Sequence, residues 1–383
     1  MLHVLITIWI AVIGLCVGSF LNVVIGRLPF DEENFDEPTP VGFWQHVASA
    51  FRFSGRAYRR LYTPPHSHCP KCGHQIRWFE NIPVVSWLAL RGKCSNCKQP
   101  ISPRYILVEL LTGTLFVAMT TRYPFDWQLV SALTFLTFLI PLIFIDAEHW
   151  ILPFELTLPG IAGGILLALP RGHDAFVTAV LGAGIAFLAF RVMEFLGWAA
   201  TGREALGAGD KYLLAMIGAQ VGWRALLGVV LLSSLQGAIV GLVRMRMTGR
   251  AGPSSPPEPK PEAPAQDKPV ERVEAVTDSK PDETEEEVPS REPFTPEFIK
   301  PGYAWWQRVL LVPYTVLLQD IPDSPPPDEA TGEIPDWEPG ANNIPFGPWI
   351  GLAGIQVMLL GPWVVDALAR TPYRLLAEIV FGQ

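Results

Sequence analysis

Two aspartates carry the chemistry this chain could perform. Asp210 closes the run Gly207-Ala208-Gly209-Asp210 and is followed at once by Lys211 and an apolar stretch. Asp146 stands 64 residues earlier, at the end of the apolar run Phe135–Ile145. An ionisable side chain at the mouth of a membrane helix is costly unless it is used or paired. Two carboxyls a few ångströms apart in a low-dielectric site cannot both ionise cheaply, so one keeps its proton and the pair titrates as a unit. The ionised member can take a proton from water while the other donates to a carbonyl oxygen, as in acid proteolysis. Glycines at 207 and 209 suit a tight bend and the close approach of another segment. An aspartate at a helix N-terminus is also a favourable cap. Gly-Ala-Gly-Asp alone therefore leaves cap and catalyst both open, and the choice turns on whether Asp146 lies on the same side.

The second constellation is Cys69, Cys72, Cys94 and Cys97. Two Cys-x-x-Cys pairs at this separation read as a structural zinc site rather than disulfides. Four thiolates fill a tetrahedral shell and leave no open position for catalysis. Gly73 and Lys98, just past each pair, suit ribbon-like turns. Such a site favours a reducing, cytosolic setting for its loop. Cys16, in an apolar run, reads as packing.

The elements that must position these groups are membrane helices. Charged residues make up only 17% of the 383, against about a quarter in soluble domains. The apolar residues come in blocks of roughly 20, the length of a membrane span. The fold class expected is an all-α polytopic membrane protein of about eight transmembrane helices with a small cytoplasmic zinc-ribbon-like domain. The net charge of −8 is local in origin. Residues 251–340 hold 20 Asp and Glu against 7 Lys and Arg, which leaves the rest of the chain mildly basic. Nothing resembles a nucleic-acid surface.

Residues 1–29 form the first span and run into Arg27 and Pro29. They lack the basic start and cleavage site of a signal peptide. Residues 30–104 are a polar loop made basic by Arg52, Arg56, Arg59, Arg60, Lys71, Arg77, Arg91, Lys93, Lys98 and Arg104. The positive-inside rule makes this loop cytoplasmic and puts the N-terminus outside. Residues 105–247 form a core with spans near 105–121, 127–145, 150–169, 174–198, 211–222 and 223–243. The turns between them alternate sides, which places Asp146 and Asp210 on the same cytoplasmic face without either having been used to set the topology.

Residues 248–343 are a Pro- and Glu-rich cytoplasmic insert too poor in apolar side chains to order its backbone. Its aromatic island Phe294–Leu318 suits the membrane surface. Residues 344–383 supply the last span. Among other charges, Glu109 near the start of the second span reads as a supporting residue. Arg191 and Glu194, three apart on one helical face, can pair structurally. His149 and Glu155 flank the Asp146 turn at the interface.

These motifs together resemble the prepilin leader peptidases, which process type IV pilins and type II secretion pseudopilins. The run from Gly18-Ser19-Phe20-Leu21-Asn22 to Arg27-Leu28-Pro29 is similar to the family's N-terminal signature. Cys69-Pro70-Lys71-Cys72-Gly73-His74, Asn81-Ile82-Pro83, Arg91-Gly92-Lys93-Cys94-Ser95-Asn96-Cys97 and Ile101-Ser102-Pro103-Arg104-Tyr105 to Glu109 resemble its zinc module. Ile145-Asp146-Ala147-Glu148-His149 with Leu152-Pro153, and Gly207-Ala208-Gly209-Asp210-Lys211, resemble its two catalytic motifs. Ile344-Pro345-Phe346-Gly347-Pro348 is similar to the entry of its last helix, and marks 248–343 as an insertion.

The resemblance implies a protease of the bacterial inner membrane that cuts the basic leader from prepilins and pseudopilins after a glycine, at the cytoplasmic face, with Asp146 and Asp210 as the catalytic pair. It also implies methylation of the new N-terminus with S-adenosylmethionine, although no glycine-rich nucleotide loop identifies a donor site. The nearest rival enzyme is another Gly-x-Gly-Asp intramembrane protease, which the zinc loop and the Phe20–Pro29 signature oppose. A transporter with ion-binding aspartates predicts charges deep in several spans. A scaffold with a zinc-ribbon adaptor predicts that both aspartates are replaceable.

Overall fold

The structure, a computed structural model, describes residues 2–29, 66–201, 207, 209–248 and 344–361, with isolated positions between 302 and 312. The expected insert and aromatic island fall almost wholly outside the described residues, as do 30–65 and the chain beyond Gly361. Among the described residues the fold is helical, with no β-strand longer than an isolated bridge. The helices are α1 (Leu2–Arg27), α2 (Val85–Ala89), α3 (Arg104–Arg122), α4 (Trp127–His149), α5 (Phe154–Leu166), α6 (His173–Thr201), α7 (Asp210–Val221), α8 (Leu226–Thr248) and α9 (Gly347–Leu360).

Five of them, α1, α3, α4, α6 and α8, are long and apolar enough to cross a membrane. Eight crossings were expected. Helices α5, α7 and α9 have 13, 12 and 14 residues. At 1.5 Å per residue each is about 18–21 Å long, short of the roughly 30 Å hydrocarbon core. Their ends are set by local chemistry that apolar composition does not register. Pro153 precedes α5, while Gly222 (φ +80°) ends α7 and Gly361 (φ +70°) ends α9.

Small residues let the backbones close up. A Cβ added at Gly18 would lie 2.7 Å from the Glu109 Cα, and one at Gly14 would lie 2.9 Å from the Gly113 Cα, so α1 and α3 touch along two turns. Gly182 on α6 and Gly218 on α7 pack backbone to backbone with no room for a side chain. Such close contacts replace the hydrophobic effect as the force that joins helices in lipid. Helix α4 supplies the centre of the core, through Leu136, Leu139, Ile140, Leu142 and Ile145, each at most 1% exposed. Asn22 of the N-terminal signature is buried and bridges α1 to α3, donating from Nδ2 to the Tyr105 carbonyl at 3.0 Å.

Candidate active site

Asp146 lies in the last turn of α4. Trp150 ends that helix in the left-handed conformation, φ +60°, and its N–H donates to the Asp146 carbonyl at 3.0 Å. A tryptophan in this region costs about 1–2 kcal/mol, so surrounding packing must impose the stop. Asp210 is the first residue of α7, and its N–H donates to the Gly207 carbonyl at 3.1 Å. The two carboxylates, both less than a tenth exposed, are close enough for the charge of Asp146 to act on Asp210. Residues 64 positions apart in the chain thus share one site.

Two residues define its walls. Leu152, in the turn after α4, lies 2.8 Å from where a Cβ on Gly209 would sit, so Gly209 permits the close approach expected of this loop. The tight bend expected there is a turn closed by the Asp210 N–H on the Gly207 carbonyl, with Gly209 in the right-handed region at φ −75°. The second wall is the start of α9. The backbone amide of Gly347 faces the Asp146 carboxylate. A Cβ at Gly347 would fall 2.5 Å from Asp146 Oδ2. That oxygen is buried with no hydrogen-bond partner among the described residues. Sequence reasoning gave Gly347 no role at the site; a glycine followed by proline at a helix start was the only local signal. Gly347→Ala should leave the helices intact but displace the Asp146 carboxylate. A loss of about 10²-fold in turnover is expected from a misplacement near 1 Å, measured as cleavage rate at equal protein.

Behind Asp210 lies a buried ion cluster. Glu194 accepts from Lys211 Nζ at 3.2 and 3.1 Å on its two oxygens, and pairs with Arg191 at 2.9 Å. The expected Arg191–Glu194 pair is present. Lys211 as its third member was missed, although a cation in an apolar run must find a carboxylate. Aromatic packing continues outward, with Tyr212 edge-on to Phe154 at 4.9 Å.

The cysteine module stands at the same end of the bundle. Arg104, opening α3, donates to Glu148, two residues past Asp146. Glu148 also lies 4.0 Å from His149. Glu109 is buried and accepts the Val84 N–H at 2.7 Å, which gives it the supporting role expected. The four cysteine sulfurs lie within 4.8 Å of one another. The Cys69–Cys97 separation is 3.8 Å, the edge of a tetrahedron with metal–sulfur bonds of about 2.3 Å. The two knuckles are alike. Gly73 and Lys98 both take positive φ, +68° and +59°, and donate their N–H to the Cys69 and Cys94 carbonyls. An N–H of His74 draws the exposed Cys72 thiol down to about 7. The N–H groups of Cys97 and Asn96 lower Cys94. Cys97 receives the Gln99 N–H, but burial and the three neighbouring thiols push it up to about 11. The donor set therefore fits a thiophilic metal, with ribbon-type turns aiming backbone amides at sulfur.

Residues 12–123 match the model of the bacterial peptidase A24 N-terminal domain, and residues 133–242 match that of the type IV leader peptidase family. The prepilin leader peptidase/N-methyltransferase of Myxococcus xanthus (strain DK1622) is 46% identical over 364 residues, covering 95% of this chain and 93% of that relative. This chain belongs to the type IV leader peptidase family. Relatives of the same name from Stutzerimonas stutzeri and Pseudomonas aeruginosa are 42% and 41% identical over 241 and 239 residues. Those alignments cover 62% and 61% of this leader peptidase family member and 80% and 79% of the relatives. The 364-residue alignment must run through most of 248–343, so the segment that reads as an insertion is shared with the Myxococcus relative. No solved structure matches the chain.

Proposed function

We propose that this chain is an aspartic protease of the bacterial inner membrane that removes the leader from type IV prepilins and type II secretion pseudopilins, and then methylates the new N-terminus. The observation that carries the reading is the meeting of Asp146 and Asp210, from two separate motifs, at the end of the bundle that bears the cysteine module. One carboxyl, ionised, takes a proton from the attacking water. The other donates its proton to the scissile carbonyl oxygen as the tetrahedral intermediate forms. Asp146 Oδ2, without a hydrogen-bond partner among the described residues, suits contact with that water or carbonyl. In this reading the site faces the cytoplasm, the N-terminus is outside, and the chain crosses the membrane eight times, with α5, α7 and α9 as its shorter crossings. Residues 105–247 with the last helix form the peptidase core, and 248–343 the cytoplasmic insert.

Cys69, Cys72, Cys94 and Cys97 would hold zinc, which supplies a cross-link between the two knuckles and no reactive position. Cys69→Ser or Cys94→Ser should drop bound zinc from one per chain toward none and expose the module to protease, as metal analysis and limited proteolysis would report. Zinc retained in full by both variants contradicts the assignment. S-adenosylmethionine supplies the methyl group when bound. No site for it is defined among the described residues.

The test of the proposed activity is a substrate comparison. The purified protein in lipid should cut a prepilin and leave a generic single-span membrane protein intact. Cleavage of the generic substrate alone would point to a different intramembrane protease.

A further inference from the structure

The cysteine module carries an apolar surface that neither the metal nor the aspartates use. Within eleven residues, Trp78, Phe79, Ile82, Val85 and Leu88 are 38–81% exposed, Trp78 most of all. This segment comprises the short 3-10 turn Trp78–Asn81 and helix α2. Exposed aromatics and aliphatics on a polar extramembrane loop need an account, since soluble surfaces rarely gather them.

The position of the segment supplies one. Helix α3 has 19 residues, about 28 Å, which matches the hydrocarbon thickness and puts Arg104 at the membrane boundary. Glu109 stands five residues further along, about 7 Å in. Its buried carboxylate holds the Val84 backbone at 2.7 Å. Val84 adopts φ +63° at this contact. The segment is therefore tied down beside the first turns of a spanning helix, at the boundary between headgroups and acyl chains. Helix α3 turns Leu107 and Leu110 outward there, 56% and 45% exposed, so the apolar segment adjoins the lipid-facing level of the bundle. Charge agrees: residues 66–104 carry six Lys and Arg against the single acid Glu80. Arg77 and Arg91 bracket the apolar residues and are exposed. Tryptophan and basic side chains favour this interfacial zone, and anionic headgroups attract the cations.

We infer that Trp78–Leu88 is an interfacial anchor, seated in the anionic lipid surface of the leaflet on the module's side, with Trp78, Phe79, Ile82, Val85 and Leu88 in contact with lipid. The anchor holds the cysteine module flat against the bundle end instead of letting it project into water.

The test uses the full chain in vesicles of phosphatidylcholine and phosphatidylglycerol that contain a phospholipid with a diazirine on the upper acyl chain. After photolysis, trypsin cuts behind Arg77 and Arg91 and releases Trp78–Arg91 as one peptide. Lipid adducts on that peptide should match in yield those on peptides from the ends of α3 and α4. In the Trp78→Ser/Leu88→Ser variant the yield on that peptide should fall about tenfold with the lost apolar area, while span peptides keep theirs. Span peptides labelled without any adduct on Trp78–Arg91 in the unmodified chain would overturn the inference, whatever the variant does. So would adducts that disappear when a prepilin is added and are replaced by cross-links to it, which would make the surface a protein-docking site.

Discussion

Asp146→Asn and Asp210→Asn should each reduce prepilin cleavage by at least about 10³-fold, because the proposed mechanism uses the two carboxyls as one proton-sharing unit. The double variant should be about as inactive as either single one, since removing one member already disables the pair. Both variants should insert and fold. Each aspartate is buried at the rim of the bundle, and the neutral amide keeps its shape while removing a buried charge. A cap role makes the opposite forecast. Asparagine is as good a cap as aspartate, so an Asp210→Asn protein that lost only a cap charge would cleave nearly as well as the parent. Measuring cleavage and thermal stability on the same preparations separates the two.

Glu194→Ala should be the most destabilising single change at this end of the bundle. It leaves Arg191 and Lys211 facing one another without the carboxylate that both now contact. Breaking a buried ion cluster by removing one partner costs about 3–5 kcal/mol. Lys211 follows Asp210 directly, so repulsion within the cluster also shifts the first turn of α7 and with it the reacting carboxyl. Replacing all three members with apolar residues of similar volume should recover much of the stability, because no buried charge is then left alone. The triple variant measures how far the cluster positions Asp210: restored melting temperature with poor cleavage assigns it that role. A Glu194→Ala protein as stable and active as the parent would show that the cluster contributes neither.

The parts legible in the sequence were those carried by residue type and spacing. Four cysteines in two pairs pointed to a metal module, and the sulfurs do converge. Loop charges put both aspartates on one face, and the structure brings them together. Glu109 and the Arg191–Glu194 pair were seen because a charge near an apolar run demands a partner. The remainder depended on contacts between elements far apart in the chain. Gly347 reaches Asp146 from 201 positions away, and nothing local to Gly347-Pro348 specifies that docking. Lys211 was seen as a neighbour of Asp210, but its turn toward Glu194 follows from the close packing of Gly182 against Gly218. The short α7 was legible as 211–222, whereas the lengths of α5 and α9 escaped because apolar residues continue past the helix ends.

In the proposed mechanism this aspartate pair cuts prepilins. Its most direct test is the intact mass of a prepilin incubated in lipid with the purified protein and S-adenosylmethionine, beside a matched sample containing Asp210→Asn. The expected product has lost its leader after a glycine and gained one methyl group, and the prepilin stays uncut with the variant. A prepilin left whole by the parent protein, or cut equally by the variant, would contradict it.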